Sequence, residues 1–507
     1  MSLVLFNTKT RKKEVFKPLH DDKVLMYVCG VTPYDYSHIG HARCYVAFDL
    51  VYRYLQYTGY EVTYTRNYTD IDDKIIKRAN EKDMDPIALA AEFIEAYKED
   101  MAALNVLPAN HEPKVSETIQ EIIDMVQTIV NNGMGYEVDG DVYFAVEAME
   151  DYGKLSGRNL EDLRCGARVG VDDRKRNPAD FALWKSAKPG EPKWPSPWGE
   201  GRPGWHIECS AMSQKFLGDL FDIHGGGKDL VFPHHENEVA QSEACTGGKT
   251  HVNYWMHNGF VNVDNEKMSK SLDNFFTIRE VLKLYHPETL RLFLMGTHYR
   301  SPINYSNVNL DEARKRLDYF YESIRKATEA LGVKWDDVEP GSNGLYDEIF
   351  YSGPEDATLK AQFVEAMNDD FNAPKTLGIL SELFCHINGL TDGIGCTNTA
   401  FDHEVVQSFD DNQKLALLAD ALRYVKEFSG VLGIWHADPV EYLAQPQGEG
   451  AQEQAYTPEE IDALLIERAE ARKSRDFARA DEIRDILANA GIEVKDGANG
   501  TVWKYAS

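Results

Sequence analysis

A strand, a helix and a second strand follow one another near the N-terminus, and this order constrains the fold more than any other feature. The run Val24–Val28 is short, apolar and stopped by Cys29-Gly30, which is typical of a buried strand. Apolar residues recur at helical spacing over 38–57, and the β-branched, aromatic segment Glu61–Arg66 follows. A β-α-β unit requires a parallel sheet with a right-handed crossover. The predicted fold class is therefore α/β, beginning with a Rossmann-like parallel-sheet domain.

The rest of the chain predicts an inserted subdomain and a helical bundle. Asp139-Gly140 lies between two alternating runs and indicates a hairpin, whereas the proline-rich stretch Lys188–Pro203 is interpreted as a loop. We take about 110–205 as an insertion into the first domain. After residue 310 the pattern is almost wholly helical, and the predicted helices are Leu310–Leu331, Thr358–Met367 and Asn412–Phe428.

A small C-terminal domain is expected after a linker rich in Gln, Gly and Glu. It combines one helix over 458–490 with a hairpin over 492–505, which turns at Asp496-Gly497. The predicted domains are 1–310, 311–443 and 457–507, with the linker at 444–456.

Charge and apolar patterning exclude several classes of protein. The 54 Lys and Arg residues against 83 Asp and Glu give a net charge of −29, so any RNA must be bound through local basic faces. No apolar run approaches the ~20 residues that span a bilayer, and the start has no secretory h-region. Seven widely spaced cysteines without a CxxC pattern favour a reducing cytoplasm, in which the thiols serve metals or cores rather than bridges.

Two short motifs carry phosphate chemistry. His38-Ile39-Gly40-His41 lies at the start of the first helix, where free N–H groups and two imidazoles suit phosphate oxygens and Gly40 permits close approach. Lys267–Ser271 reads KMSKS, and its lysines could close over a pyrophosphate leaving group. Each motif alone is weak, because helix-start histidines and solvated lysine pairs are common. Their order on either side of β-α structure resembles the class I aminoacyl-tRNA synthetases.

A set of cysteine, histidine and glutamate residues indicates a metal site. His234 and Glu238 are four residues apart on a predicted helix and hence on one face. With Cys29 and Cys209 they form a donor set that suits zinc in ligand type. From spacing alone, other histidines compete as ligands, and these are His206, His224 and His235.

Longer strings resemble the cysteinyl-tRNA synthetase family from the first strand to the closing hairpin. They are CGVTPYDYSHIGHAR (29–43), NYTDIDDKI (67–75), GWHIECS (204–210), HGGGKDL (224–230), AMNDDFN (366–372) and GTVW (500–503). The resemblance implies one zinc ion held by Cys29, Cys209, His234 and Glu238. It also implies cysteine contacts from Gly30, Thr69, Trp205 and Asp229, and ATP contacts from His38, Gly40, His41 and Lys270.

The implied reaction joins L-cysteine to its tRNA through a cysteinyl-adenylate, with magnesium accompanying ATP. Neither step needs a nucleophilic side chain, so positioning and charge stabilisation carry the catalysis. His38, His41, Lys267 and Lys270 are the candidate catalytic residues. Zinc would select the thiol over the serine hydroxyl, because size alone discriminates by only ~1–3 kcal/mol. Since four protein ligands resemble a closed structural site, substrate binding would need five-coordination or loosening of Glu238.

Two charged features have competing interpretations. Asp72-Asp73 could bind magnesium, but a helix-start cap explains the pair as well. If the last helix is continuous, Arg468, Arg472, Arg475 and Arg479 line one face of it. That stripe would meet tRNA phosphates or form a solvated, ion-paired face with the acidic residues around it.

Two other functions remain open at this point. A ligase that joins cysteine to a small amine would not need the roughly 200 residues beyond 310. A catalytically silent, synthetase-like RNA-binding protein would be expected to have broken motifs, whereas both motifs are complete. We expect a cytoplasmic monomer without membrane association, whose partners are ATP, L-cysteine and the tRNA for cysteine.

Overall fold

The computed structural model describes residues 2–159, 173–263, 266–267, 276–351, 358–392, 409–448, 458–490, 492–497 and 500–505. The chain forms two compact units. The first comprises Met1–Ile278, Thr297–Ile303 and Glu365–Ala373, and the second comprises Arg279–Gly296, Asn304–Val364 and Pro374–Ser507.

Strands and helices alternate in the first part of the chain. The strands are β1 (Val4–Asn7), β2 (Lys12–Val15), β3 (Lys23–Val31), β4 (Glu61–Tyr68), β5 (Gly135–Val138), β6 (Asp141–Phe144), β7 (Phe181–Ser186), β8 (Gly201–Pro203), β9 (Phe221–Gly227), β10 (Val252–Asn258), β11 (Val261–Val263) and β12 (Glu266–Lys267). The helices are α1 (Ile39–Tyr57), α2 (Asp73–Lys82), α3 (Pro86–Ala103), α4 (Ile119–Asn131), α5 (Ile207–Leu217) and α6 (His234–Thr246).

A four-stranded parallel sheet forms the centre of the first unit and confirms the predicted fold class. Its order is β10-β9-β3-β4, and every neighbouring pair is parallel. Met26, Tyr27 and Val28 of β3 are fully buried, as expected for a strand covered on both faces. Helix α1 makes the crossover between β3 and β4, and 14 of its 19 residues are buried.

An antiparallel sheet, with order β5-β6-β7-β8, is inserted between β4 and β9 of the parallel sheet. Its first hairpin turns at Asp139-Gly140, as predicted. Both residues have positive φ, 51° and 83°, which a two-residue hairpin turn with matching twist requires. The prediction of a loop is wrong for Gly201–Pro203, which forms edge strand β8 against Trp184 to Ser186. An edge position tolerates Pro203, which has no N–H to donate.

Helices dominate the remainder of the chain. They are α7 (Ile278–Leu282), α8 (Pro287–Met295), α9 (Asn307–Leu331), α10 (Leu345–Phe350), α11 (Leu359–Asn368), α12 (Ala373–Asp392), α13 (Asp411–Leu432), α14 (Pro439–Leu443), α15 (Pro458–Lys473) and α16 (Phe477–Asn489), together with strands β13 (Ile303–Tyr305), β14 (Ile492–Gly497) and β15 (Gly500–Tyr505). Helices α9, α11 and α13 confirm the three predicted helices to within four residues at each end.

A buried carboxylate joins three segments of the second unit. Glu288 in α8 accepts hydrogen bonds from Tyr321 Oη of α9 at 2.7 Å and from the backbone N–H groups of Trp435 and His436 at 2.6 and 2.8 Å. Because one donor lies on α9 and the other two lie in the turn that follows α13, the carboxylate on α8 fixes that turn against both helices.

The expected single helix over 458–490 is wrong, because the chain forms the two helices α15 and α16. The turn between them places Arg475 in the left-handed region, with φ of 63°, and Asp476 caps α16 by accepting from Arg479 N at 3.1 Å. Both helices pack with β14 around a small apolar core of Ile461, Leu465, Ile483, Leu487 and Ile492. The predicted closing hairpin is confirmed as β14 and β15, but its predicted turn at Asp496-Gly497 is wrong, because these two residues still pair with Thr501 and Gly500.

The break removes the arginine stripe, since the four arginines no longer share one helix. Arg468 is buried in α15, whereas Arg479 lies in α16 and pairs with Glu467 and Glu482, each at 2.8 Å. Helical spacing had aligned these residues only on the assumption of a continuous helix. The geometry of Arg479 matches the ion-paired alternative.

Most cysteines of the described residues behave as expected. Cys29, Cys44, Cys209 and Cys245 are free thiols. Cys385 is disulfide-bonded, which contradicts the expectation that no cysteine forms a bridge, because spacing along a chain does not report distance in a fold. No helix within the described ranges is both long and apolar enough to cross a membrane.

Replacing Arg475 with glycine tests the helix break. Glycine removes the left-handed strain, so we expect Arg475→Gly to raise the free energy of opening of α15 and α16 by up to about 1 kcal/mol. Amide hydrogen exchange of 458–489 in the full-length chain measures this quantity.

The matched control is Glu470→Gly inside α15, which should lower the same free energy by about 1 kcal/mol. A loss of protection in Arg475→Gly equal to that in the control would mean that the helix is continuous.

Candidate functional site

A cavity of about 360 Å³ lies at the carboxyl ends of the parallel strands, which is where open α/β sheets bind ligands. Residues that end or follow β3, β4, β9 and β10 line it, together with the start of α1. Of the residues predicted from the sequence, the cavity wall contains Cys29, Gly30, His38, Gly40, His41, Thr69, Trp205, Cys209, Asp229 and His234.

The close approach of β3 and β4 shapes the floor of this cavity. The backbone N–H of Gly30 donates to Asn67 Oδ1 at 2.8 Å. A Cβ atom on Gly30 would lie 1.4 Å from the carbonyl oxygen of Asn67, so only glycine fits. The amide of Asn67 also donates to Thr69 Oγ1 at 3.2 Å. One buried asparagine therefore orders two residues that were predicted to contact the amino acid.

The four predicted metal ligands converge behind this wall. Ligand atoms of Cys29, Cys209, His234 and Glu238 all lie within 4.8 Å of one another. Cys29 Sγ is 3.8 Å from Cys209 Sγ and 3.6 Å from Glu238 Oε1, and His234 Nε2 is 3.0 Å from the same oxygen. Cys29 lies near the carboxyl end of β3, Cys209 lies in α5, and the other two are one turn apart on α6. Two thiols, an imidazole and a carboxylate make a donor set that fits zinc.

A second donor set shares two of these residues. Cys29 and Glu238 also lie within 4.8 Å of ligand atoms of His224 and His235, two of the competing histidines noted from the sequence. Cys29 Sγ is 3.2 Å from His235 Nε2, and Glu238 Oε2 is 2.8 Å from His224 Nε2. Neither histidine lines the cavity. A metal ion in the first set would therefore face the cavity, whereas one in the second set would lie deeper.

The charges in this cluster are set by its buried neighbours. Burial favours the neutral acid, but His224 and His234 hold the pKa of Glu238 well below its ordinary value. Burial likewise favours neutral His234, yet Glu238 and Cys209 raise its pKa to about 10. A hydrogen bond from Cys29 lowers the pKa of Cys209 to about 6, while burial raises the pKa of Cys29. A metal ion ligated by His234 must displace its proton.

The two motif histidines form the N-terminal cap of α1. His38 Nδ1 accepts from His41 N, and His41 Nδ1 accepts from His38 N, each at 3.3 Å. Their rings stack with centroids 3.7 Å apart. The 19-residue helix thus presents its positive end and both imidazoles to the cavity, an arrangement that suits an anionic ligand.

Trp205 and Asp229 lie on the same cavity wall as the donor set. The Trp205 ring stacks on that of His234 at a centroid distance of 4.7 Å and is 38% exposed, so its indole can contact a ligand. The carboxylate of Asp229 supplies negative charge at the same wall.

The second motif is only partly described. The backbone of Lys267 belongs to β12 and pairs with Asn262 of β11. Lys270 lies outside the described residues, as do Met268, Ser269 and Ser271.

Sequence reasoning missed several residues that shape the cavity. Tyr34, Tyr45 and Lys74 line it, and Asn67 orders its floor. Ligands bind at the carboxyl ends of parallel strands, so the segment after β4 was a place to look for cavity residues. Lys74 lies six positions after the end of β4.

The acidic pair has a structural explanation. Asp72 caps α2 by accepting from Lys74 N at 2.8 Å, and Asp73 pairs with Lys185 and Arg202 at 2.8 and 2.5 Å. These contacts favour the cap interpretation over a magnesium site.

Comparisons with known proteins cover almost the whole chain. Residues 15–315 match the family of class I (C) tRNA synthetase catalytic domains, 362–436 match the DALR domain, and 456–503 match the cysteinyl-tRNA ligase anticodon binding domain. The cysteine–tRNA ligase of Syntrophotalea carbinolica is 52% identical over 99% of this chain and 100% of its own. The chloroplastic/mitochondrial cysteine–tRNA ligase of Arabidopsis thaliana is 49% identical over 99% and 86%.

Solved structures with low sequence identity share the fold. Methionyl-tRNA synthetase of Mycobacterium tuberculosis superposes with a TM-score of 0.57 at 14% identity, covering 86% of this chain and 96% of that one. The LeuRS of an Agrobacterium radiobacter complex gives 0.52 at 12% identity, covering 84% and 87%. These likenesses support the class I synthetase fold.

Removing the amide of Asn67 should loosen the cavity floor. Asn67→Ala leaves the Gly30 N–H buried without its acceptor, which costs about 1–3 kcal/mol in the free energy of unfolding. Asn67→Asp keeps an acceptor and should cost less. Urea denaturation measures both values, with Asn80→Ala as an exposed control of the same chemistry. Equal stabilities for Asn67→Ala and Asn80→Ala would contradict the role assigned to Asn67.

Proposed function

The chain belongs to the cysteinyl-tRNA synthetase family, and on that premise we propose that it ligates L-cysteine to its tRNA through a cysteinyl-adenylate. In the first step the cysteine carboxylate attacks the α-phosphorus of ATP and pyrophosphate leaves. In the second step a 3′-terminal ribose hydroxyl of tRNA attacks the adenylate carbonyl and AMP leaves. The observation that carries the proposal is the convergence of the α1 N-terminus and a Cys/His/Glu donor set on one cavity.

The start of α1 is proposed to bind the phosphates of ATP. His38, Gly40 and His41 face the cavity, where the two imidazoles and the positive end of α1 can stabilise the charge that develops as pyrophosphate leaves. Lys267 and Lys270 are assigned the same role from the motif. Magnesium is expected to accompany ATP.

Four cavity residues are proposed to hold cysteine itself. The Asp229 carboxylate would pair with the substrate ammonium group, since it lines the wall beside the donor set. Gly30 and Thr69, both ordered by Asn67, and the half-exposed indole of Trp205 would complete the pocket.

Cys29, Cys209, His234 and Glu238 are proposed to hold one zinc ion, because three of the four also line the cavity. When bound, zinc would favour a thiolate sulfur over a hydroxyl and thereby discriminate against serine. The chain's own part is to supply ionised donors, since Glu238 and Cys209 are held at low pKa.

The predicted role of each domain also belongs to this proposal. Residues 1–310 would carry the chemistry, with the insertion at about 110–205. Residues 311–443 would form the helical tRNA-binding domain, 444–456 the linker and 457–507 the small domain that recognises the anticodon. We also expect the chain to act as a cytoplasmic monomer.

Pyrophosphate exchange followed by charging tests the function. The wild type should catalyse cysteine-dependent exchange of labelled pyrophosphate into ATP and then charge tRNA. Exchange without charging would favour a ligase that uses a small amine, and a chain without exchange would be a catalytically silent binding protein. Lys270→Ala should reduce kcat of exchange far more than it weakens cysteine binding, because the lysine acts on charge that grows in the transition state.

Variants of two adjacent buried histidines on α6, His234 and His235, distinguish the two donor sets. Elemental analysis should find one zinc per wild-type chain. His234→Gln should lose most of that zinc in the presence of a chelator, whereas His235→Gln should retain it. Circular dichroism checks that both variants fold. The reverse pattern would assign the ion to the set that contains His224 and His235, and zinc-free protein that charges tRNA would contradict the site altogether.

A further inference from the structure

A basic face of helix α2 begins at the cavity and leads away from it. Ile75, Ile76 and Ala79 of α2 are buried and pack with Leu89, Ala90 and Phe93 of α3. The opposite side of α2 spans about 140° at 100° per residue and carries Lys74, Lys77, Arg78, Glu81 and Lys82.

This face carries more positive charge than its own ion pairs neutralise. Glu81 is its one carboxylate, and it lies 4.0 Å from Lys77 and 3.4 Å from Arg78. Arg78 also approaches Asp35 at 3.9 Å. The Lys77 side chain remains 80% exposed. In a chain of net charge −29, such a face is a local exception that suits an anionic partner.

Aromatic rings alternate with these cations. Lys74 Nζ lies 5.6 Å from the centroid of the Tyr34 ring, and Lys82 Nζ lies 4.9 Å from that of Phe93. Tyr36 is 41% exposed and meets Phe93 edge-on at 5.4 Å. Phe93 itself is buried, so bases could stack only on the exposed Tyr36 ring and on the half-buried Tyr34 ring at the cavity. Rings that stack on bases, beside cations that pair with phosphates, are the arrangement that binds single-stranded nucleic acid.

Continuity with the cavity specifies which part of an RNA would fit. Tyr34 and Lys74 line the cavity, and the face extends about 12 Å from Lys74 to Lys82 at 1.5 Å per residue. That length corresponds to about three nucleotides at 3.4 Å each. A strand that lies along it would deliver its terminal ribose to the cavity.

We propose that the basic face of α2, with Tyr34 and Tyr36, binds the unpaired 3′ end of tRNA and guides it into the cavity. This inference rests on the proposed function, because it takes tRNA as the second substrate. Phosphates lie along Lys77 and Lys82, and the last nucleotides pass Lys74 and Tyr34. The ATP phosphates instead occupy the α1 end of the cavity.

The double variant K77Q/K82Q tests the surface, since neither lysine lines the cavity. Binding is measured with a transcript of the tRNA for cysteine, intact or truncated by its unpaired 3′ nucleotides. Wild type should bind the intact tRNA more tightly, and the variant should lose most of that difference. Intact tRNA should bind the variant on the order of tenfold more weakly, with a salt slope flatter by about 1.4. Pyrophosphate exchange should be unchanged.

A matched control is K98Q/K249Q, which removes the same charge from exposed positions elsewhere in the first unit and should behave as wild type. If K77Q/K82Q keeps the full difference in affinity between intact and truncated tRNA, the proposed role of this surface is wrong. The proposed function would not be affected by that result. Slower exchange with unchanged tRNA binding would overturn the role of this surface in favour of an ATP-phosphate site. A wild type that exchanges pyrophosphate but neither binds nor charges tRNA would instead overturn the proposed function, and this surface with it.

Discussion

The contact of Gly30 with Asn67 is the constraint on which the rest of the site depends. It brings the ends of β3 and β4 so close that a Cβ atom would overlap a carbonyl oxygen. Cys29 immediately precedes this contact, and Thr69 follows it on the other strand. One main-chain contact in the sheet therefore fixes the positions of both Cys29, a proposed metal ligand, and Thr69, which is proposed to contact the amino acid.

A second level of organisation comes from the charge buried behind the cavity. Glu238 is fully buried and accepts from two imidazoles, one on β9 and one on its own helix. An unpaired buried carboxylate would be strongly destabilising. The two imidazoles therefore stabilise the folded chain, and they are also candidate metal ligands. Because Glu238 contacts both imidazoles, it belongs to two overlapping donor sets. The sets differ in that His234 lines the cavity, whereas His224 and His235 do not.

The acidic composition makes the few basic faces informative. The C-terminal arginines lost their alignment because the helix breaks at Arg475, and Arg479 pairs with two carboxylates of the same module. On α2, by contrast, four cations share one carboxylate on their face, near the exposed ring of Tyr36 and the half-buried ring of Tyr34. The charge pattern of the sequence suggested the C-terminal arginines as a surface for RNA. The spatial neighbours of each group instead favour the cations of α2.

The sequence by itself determined the fold class, helices α1, α9, α11 and α13, both hairpins and the identity of the motif residues, because periodicity and turn residues are local signals. Through resemblance over long strings it also supplied the four proposed metal ligands and the four residues proposed to hold cysteine. Only the tertiary structure decided that Tyr34 and Lys74 line the cavity, that Asn67 orders Gly30 and Thr69, and that His224 and His235 form a rival donor set with Cys29 and Glu238. Helical spacing could not reveal the break at Arg475, because a single left-handed residue is chosen by the packing of α15 against α16. Distances between strands are set by packing, and no local pattern encodes them.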